Sequence, residues 1–173
     1  MKVKDIAFTL IVVALIATLS WLWLSPSGAK PAPDIQLSTL DGQQLNLANK
    51  RGRPVLVTFW ATTCPGCIKE MPHLIDLYND YSGRGLEIIG IAMSYDQEQA
   101  VRELVRLREV NYPIAHDVSG RAALAFGDIK LTPTTFLIAP NGRIVMHRLG
   151  EVDMDALRER IVPMLPPAKA TAS

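Results

Sequence analysis

The sequence predicts a mixed α/β domain, in which helices flank a sheet on both faces, behind an N-terminal apolar segment. Two stretches, PVLVTFW at 54–60 and LEIIGIAM at 86–93, are apolar at consecutive positions, which is typical of strands covered on both faces. A helical pattern follows each of them, and a last pair of strand patterns flanks a Pro-Asn-Gly turn at 140–142. Strand and helix therefore alternate in the middle of the domain, and an antiparallel hairpin follows.

Shorter patterns complete this order of elements. The turn residues Asp41 and Gly42 lie between 35–40 and 43–47, which predicts a small hairpin at the N-terminal side of the domain. Apolar residues recur at spacings of three and four after Cys64, which predicts a helix from that cysteine onward. The other predicted elements are a helix at 97–110, a strand at 112–115, a short helix at 119–126, strands at 134–139 and 143–149, and a helix at 153–162.

The N-terminal region predicts a membrane anchor. Residues 6–24 carry no charge, and as a helix they extend about 28 Å, close to the thickness of the hydrocarbon core of a bilayer. Lys2 and Lys4 precede this segment, and Trp21 and Trp23 lie near its end. Cationic residues stay in the cytoplasm and tryptophans favour the membrane interface, so the rest of the chain is expected on the outer side.

A cleaved signal peptide is the alternative, because Ser27 and Ala29 supply the small residues of a cleavage site. With the anchor retained, the protein is a single-pass protein of the cytoplasmic membrane whose domain faces the periplasm or the cell exterior. The predicted segments are a cytoplasmic stub at 1–5, the anchor or uncleaved signal at 6–24, a linker at 25–33, the folded domain at 34–162 and a flexible tail at 163–173.

The charge pattern argues against a nucleic-acid surface. The chain has 18 basic and 17 acidic residues, with a formal net charge of +1. Its densest group of arginines, at 101–110, is interleaved with glutamates. Such mixing is typical of a solvated helix face, so no nucleic-acid partner is expected.

The only cysteines of the chain, Cys64 and Cys67, both lie in the sequence CPGC. Residues three apart in the first turn of a helix lie on one side of it, so a disulfide can join them. Closing so short a loop gains little chain entropy, which argues against a structural staple. The helix N-terminus favours a thiolate at Cys64, whereas Cys67 lies one turn further in on the apolar face. We therefore expect Cys64 to be the attacking nucleophile and Cys67 the resolving thiol.

Metal binding is the alternative use of the same thiolates. One C-x-x-C supplies two ligands, whereas structural zinc requires four. Two-coordinate Cu(I) stays open because thiolates select it, so a Cu(I) carrier or metallochaperone is the rival hypothesis. Under the redox hypothesis the Cys64–Cys67 disulfide itself is the working group, and neither a further cofactor nor a metal is expected.

The motifs FWATTCPGC at 59–67 and LTPTTFLIAPNGRIV at 131–145, with Pro72 five residues after the second cysteine, resemble the thioredoxin fold. In particular they resemble the membrane-anchored TlpA/ResA-like thiol:disulfide oxidoreductases. The resemblance spans about 34–162. It implies a thioredoxin-like mixed sheet with an N-terminal hairpin and with an inserted strand and helix between Pro72 and Pro133.

The resemblance also implies roles for single residues. Pro133 matches the cis-proline that faces the disulfide, and the backbone of Thr132 before it pairs with an extended substrate segment in such proteins. Trp60 matches the motif tryptophan, which either packs in the core or also contacts substrate. Glu70 is either a partner of the helix dipole or a proton acceptor for Cys67.

Two positions depart from the family pattern. Thr58 stands where thioredoxin keeps a buried aspartate, and a threonine cannot titrate, so the usual proton relay is absent. In the cytochrome c maturation branch an acidic residue follows the strand after the active-site helix. An ungapped comparison places Tyr95 at that position, with Asp96 beside it.

These observations predict an exported thiol:disulfide oxidoreductase, and the resemblance favours a reductase of cysteine pairs in extracytoplasmic proteins. Its electrons must then cross the membrane, which implies a transmembrane thiol-electron donor of the DsbD or CcdA kind. The expected substrates are cysteine-containing exported proteins, including apocytochrome c and copper-site proteins.

Overall fold

A five-stranded mixed sheet forms the centre of the domain, and a separate two-stranded hairpin packs beside it. The computed structural model describes residues 12–15, 18 and 29–167. In this part of the chain the strands are β1 (Gln36–Ser38), β2 (Gln44–Asn46), β3 (Val55–Trp60), β4 (Glu87–Ala92), β5 (Ile114–His116), β6 (Thr134–Ile138) and β7 (Ile144–Leu149). The order in the large sheet is β5-β4-β3-β6-β7. β4 is parallel to β3 and β5, whereas β6 is antiparallel to β3 and β7.

The helices begin and end close to the predicted positions. They are α1 (Pro65–Tyr81), α2 (Glu98–Leu107), α3 (Arg121–Ala125) and α4 (Met154–Ile161). The helix predicted at 97–110 ends earlier, because Glu109 adopts a left-handed φ of 52°. The strand predicted at 112–115 and the short helix predicted at 119–126 are present as β5 and α3. Asp117 fixes the start of α3, since its carboxylate accepts hydrogen bonds from the backbone N–H groups of Ala122 and Ala123.

The central strand β3 separates two apolar cores. Val55, Val57 and Phe59 point to one side of the sheet, and Leu56 and Trp60 point to the other, because side chains alternate along a strand. The first side, called the hairpin face below, is covered by β1, β2 and α3. The second, called the helical face, is covered by α1, α2 and α4. The predicted mixed sheet flanked by helices is thus confirmed, with the hairpin providing much of the cover on one side.

The domain extends beyond both predicted boundaries. The segment predicted as the last part of a linker pairs with the start of β7, since Ala32 N–H donates to Gly142 O at 2.9 Å and Ile144 N–H to Lys30 O at 2.8 Å. At the other end, a 3-10 turn at Val162–Met164 continues α4. Leu165 follows this turn and is buried in the core of the helical face. The described parts of the predicted linker at 25–33 and of the predicted tail at 163–173 therefore contact the domain, through Lys30, Ala32 and Leu165.

The predicted anchor at 6–24 falls largely outside the described residues. Only 12–15 and 18 are described there, and they are helical. The described residues include no helix with the length and apolar character that crossing a membrane requires. The stub at 1–5, the first part of the linker and the end of the tail also lie outside the described residues.

Candidate active site

The cysteine pair lies at the N-terminus of α1, in the predicted position. Cys64 is the N-cap residue and Pro65 is the first residue of the helix. Cys64 and Cys67 form a disulfide, with their Cα atoms 5.3 Å apart, and Cys67 N–H donates to Cys64 Sγ at 3.2 Å. Cys64 is half-buried, whereas Cys67 is only 3% exposed and packs in the core of the helical face. An attacking sulfur from another protein can therefore reach Cys64 but not Cys67.

Pro133 lies beside this pair, at the start of β6. The Thr132–Pro133 peptide bond is cis, as the resemblance implied. A Cβ atom placed on Gly66 would lie 3.6 Å from Pro133 Cδ, so the proline directly faces the middle of the CPGC motif. Pro133 O accepts a hydrogen bond from Gly150 N–H at 2.8 Å, which ties the loop after β7 to the same place. The topology thus brings together two motifs that are far apart in sequence.

An open groove surrounds Cys64. Two large apolar side chains line it and are well exposed, Tyr95 at 59% and Leu131 at 61%. Exposed apolar side chains beside a reactive sulfur provide a surface on which a protein segment can dock. The remaining lining residues are Thr63, Pro65, Gly66, Lys130, Thr132, Pro133, Gly150 and Glu151.

Glu70 is a buried carboxyl group one turn after Cys67. It is 4% exposed, and its Oε1 accepts a hydrogen bond from Val152 N–H at 2.8 Å. Burial raises the pKa of Glu70 above its ordinary value, although the hydrogen bond from Val152 opposes the shift. Residues three apart in a helix are neighbours on its surface. A carboxyl group that holds its proton to higher pH therefore lies next to the buried cysteine.

Trp60 is not among the residues that line the groove, so of the two roles that the resemblance implied, the structure shows core packing. Its side chain is buried in the core of the helical face, where its Nε1 has no hydrogen-bond partner. The reason is the alternation of side chains along β3: Trp60, like Leu56, points to the helical face, where α1 covers it. Thr58 on the same face accepts a hydrogen bond at 3.1 Å from the Thr135 hydroxyl. A threonine pair thus occupies the place where thioredoxin has an aspartate.

Sequence reasoning missed two residues at the site. Asp96 holds the turn before the motif, since it accepts hydrogen bonds from Thr62 N–H at 2.7 Å and from the Thr62 hydroxyl at 3.0 Å. Glu151 lies over Gly66, with its Oε1 3.5 Å from where a Cβ atom would be. No local pattern marks either residue, because each reaches the motif only through the tertiary fold. The one sequence signal near Asp96 is the ungapped comparison with the cytochrome c maturation branch, which places the neighbouring Tyr95 at the acidic position of that branch.

Among residues 12–15, 18 and 29–167, no three His, Cys, Asp or Glu side chains form a cluster that could hold a metal ion.

The fold and the disulfide at the start of α1, faced by a cis-proline, define a thioredoxin-like thiol-disulfide oxidoreductase.

Comparisons with known proteins agree with this class. The family model described as the AhpC/TSA family matches residues 29–147. The chain belongs to this family. Within it, the chain is ResA-like: it is 33% identical over 137 residues to the thiol-disulfide oxidoreductase ResA of Bacillus thuringiensis, covering 79% of this chain and 78% of that protein.

Solved structures extend the likeness to the fold. A thiol:disulfide interchange protein of the thioredoxin family from Chlorobium tepidum superposes with a TM-score of 0.71 at 28% identity, covering 81% of this chain and 98% of that one. StoA from Bacillus subtilis superposes with a TM-score of 0.65, covering 76% of this chain and 98% of that one. Its identity of 24% bears on the fold alone.

Proposed function

We propose that the protein is an exported reductase of disulfides in extracytoplasmic proteins. The observation that carries this proposal is the unequal exposure of the two sulfurs: Cys64 is accessible at the groove, and Cys67 is 3% exposed. This asymmetry supports Cys64 as the attacking thiolate and Cys67 as the resolving thiol. The uncharged segment at 6–24 supports an anchor and an exported domain.

In the proposed reaction the Cys64 thiolate attacks one sulfur of a substrate disulfide. A mixed disulfide forms, and the other substrate sulfur leaves as a thiolate that takes up a proton. Cys67 then loses its proton and attacks Cys64, which releases the second substrate thiolate and forms the Cys64–Cys67 disulfide. The substrate gains two electrons and the enzyme loses two, so a dithiol donor must reduce the pair again. We assign this step to a transmembrane donor of the DsbD or CcdA kind.

Two further residues have roles in this proposal. The backbone of Thr132 pairs with the extended substrate segment, next to Pro133 and the exposed side chain of Leu131. Glu70 accepts the proton that Cys67 releases, because its raised pKa makes it a better base than an ordinary carboxylate near neutral pH. The substrates are cysteine pairs of exported proteins, with apocytochrome c and copper-site proteins as the first to test.

The reduction potential of the purified protein tests the direction of electron flow. Thiol-disulfide proteins span about −270 mV for thioredoxin to about −120 mV for strong oxidants. We expect a value near the reducing end, measured by equilibration with glutathione or dithiothreitol buffers. A value near about −120 mV is typical of a strong oxidant and would overturn the reductase assignment.

Trapping separates the roles of the two cysteines. Cys67→Ser should accumulate mixed disulfides between Cys64 and substrate proteins, visible on non-reducing gels and identified by mass spectrometry. Cys64→Ser is the matched control and should trap none; the reverse pattern would exchange the two roles.

Titration of the reduced protein with Cu(I) tests the rival carrier function, which tight stoichiometric binding without disulfide reductase activity would favour.

A further inference from the structure

An ion pair lies directly over the middle of the CPGC motif. Lys69 Nζ contacts Glu151 Oε2 at 2.8 Å, and the Glu151 side chain occupies the space above Gly66. Lys69 follows Gly66 by three residues on α1, whereas Glu151 comes from the loop between β7 and α4. A Cβ atom on Gly66 would be in ordinary contact with Glu151, but a longer side chain there would have to displace the carboxylate. The glycine therefore makes room for a charge that reaches the motif from another part of the fold.

Other charged groups lie near this ion pair. Lys130 also lines the groove and is paired with Asp128 at 2.7 Å. The neighbouring segment is held to α1 twice, since Val152 N–H donates to Glu70 while Glu151 contacts Lys69. The other titratable and charged groups facing this region from the packed elements are Tyr95, Asp96, Glu70, His73, Arg148, Asp155 and Arg158. Arg158 is itself close to Asp80 and Asp155.

We propose that the Lys69–Glu151 pair sets the stability of the Cys64 thiolate, and thereby the redox balance of the disulfide. Glu151 and Cys64 line the same groove, so the carboxylate opposes a negative charge on the sulfur while the ammonium group of Lys69 offsets that repulsion. The two residues between the cysteines carry no charge. In this protein, one charge of the pair comes from α1 and the other from the loop after β7. The inference rests on Cys64 being the attacking thiol, as assigned under the proposed function.

Neutralising one partner at a time should shift the Cys64 pKa in opposite directions. Glu151→Gln removes the repulsion and leaves the lysine unpaired, so the thiolate becomes more stable and the pKa falls. Lys69→Gln leaves the carboxylate unpaired, so the pKa rises. We expect each shift to be about half a pKa unit, because the pair is exposed to solvent. The double variant should return close to the wild-type value.

The reduction equilibrium should follow the same signs. A more stable thiolate favours the reduced form, so Glu151→Gln makes the pair more oxidising and Lys69→Gln makes it more reducing. Half a pKa unit changes the equilibrium constant with glutathione at most about threefold. At about 29.6 mV per tenfold change, the reduction potential shifts by at most about 14 mV. Both shifts should shrink in 1 M NaCl, where the Debye length is about 3 Å.

The experiment measures the alkylation rate of the reduced, detergent-solubilised full chain with iodoacetamide between pH 4 and 9. Mass spectrometry of the singly alkylated product identifies the cysteine that reacts. Arg106→Gln is the matched control, because Arg106 pairs with Glu103 at 2.9 Å with side-chain exposures of 69% and 55%, close to the 71% and 49% of Lys69 and Glu151. This control changes the net charge as Lys69→Gln does, far from the groove, and should leave the Cys64 pKa unchanged.

Several results would overturn the inference. Shifts of the same sign in both single variants would indicate a structural role for the pair, and the absence of any shift beyond that of Arg106→Gln would remove the tuning role. Lys69→Arg should keep the wild-type pKa because it keeps the charge. If Cys67 is alkylated first in the wild type, the assignment of the attacking thiol fails instead, so the two failures are distinguishable.

Discussion

Phe59 and Trp60 are adjacent in β3, yet their side chains enter two cores of different character. On the hairpin face, Phe59 meets Phe126 and Phe136 edge to face, with ring centroids 5.3 and 6.2 Å away. Phe126 and Phe136 lie tilted against each other at 4.8 Å. On the helical face, Trp60 shares its core with Cys67. Glu70 is buried in α1, which covers that face, and two threonines hydrogen-bond across β3 and β6 there.

The difference shows how one sheet separates packing from chemistry. The aromatic cluster provides apolar area, and no residue of the groove around Cys64 belongs to it. The helical face instead contains Cys67 of the disulfide and the buried Glu70. Substitutions on the two faces should therefore have different effects, which the following predictions test in order of decreasing size.

Phe59→Ala should have the largest effect on stability and no effect on the chemistry. Removing a fully buried phenylalanine costs about 3 to 5 kcal/mol of the free energy of unfolding. The reduction potential of the folded variant should equal that of the wild type. Urea unfolding of the oxidised protein and glutathione equilibration measure the two quantities. A changed potential would contradict the separation of the faces, and Phe59→Leu is the milder control.

Thr58→Val should have an intermediate effect. It leaves the buried Thr135 hydroxyl without its partner at 3.1 Å, and an unsatisfied buried polar group costs about 1 to 3 kcal/mol. Combining it with Thr135→Val should restore most of the loss, because both partners are then apolar and of similar shape. A double variant less stable than Thr58→Val, by urea unfolding, would show that the hydroxyls have other roles.

Glu70→Gln should change how stability depends on pH. Burial raises the pKa of Glu70 above its ordinary value of 4.5, so the folded protein holds this proton more tightly than the unfolded chain does. The stability from this group is present below pH 4.5 and is lost as pH rises through the folded pKa. Glutamine carries no such group and still accepts the hydrogen bond from Val152.

The measurement is the free energy of unfolding of wild type and Glu70→Gln from pH 4 to pH 8, with the cysteines oxidised. The wild type should lose stability relative to the variant as pH rises. Parallel curves would show that the Glu70 pKa is not raised. Glu103→Gln is a control of opposite sign, because its pairing with Arg106 lowers the Glu103 pKa.

Trp60→Phe should have the smallest effect. It removes a buried indole N–H that has no partner, which offsets part of the loss of apolar contact. We expect a change below about 1.5 kcal/mol in the free energy of unfolding, the range of hydrophobic substitutions of related shape. An unchanged rate of substrate reduction would agree with its burial. A large loss of rate in a stable variant would instead indicate the substrate contact that the resemblance gave as the second role.

The sequence was sufficient to predict most of the sheet and the cysteine pair. Strands such as 54–60 and 86–93 were clear because both of their faces are buried, and the helix start at Cys64 followed from spacing. The cis-proline came from resemblance, because nothing local distinguishes Pro133. Glu151 and Asp96 could not be predicted, since each acts through contacts between segments far apart in the chain. The contacts of Lys30 and Ala32 with the start of β7, and the burial of Leu165 on the helical face, could not be predicted because Pro-rich sequence is typical of linkers and tails.

β7 runs from the N-terminal segment of the domain to the groove around Cys64. At the first residue of this strand, Ile144 N–H donates to Lys30 O. Directly after its last residue, Gly150 N–H donates to Pro133 O. Six residues at about 3.4 Å each place these points roughly 20 Å apart. The chain therefore enters the domain at one pole and presents its sulfur at the other. A tether attached before Lys30 would thus be joined to the domain about 20 Å from the groove, the length of β7.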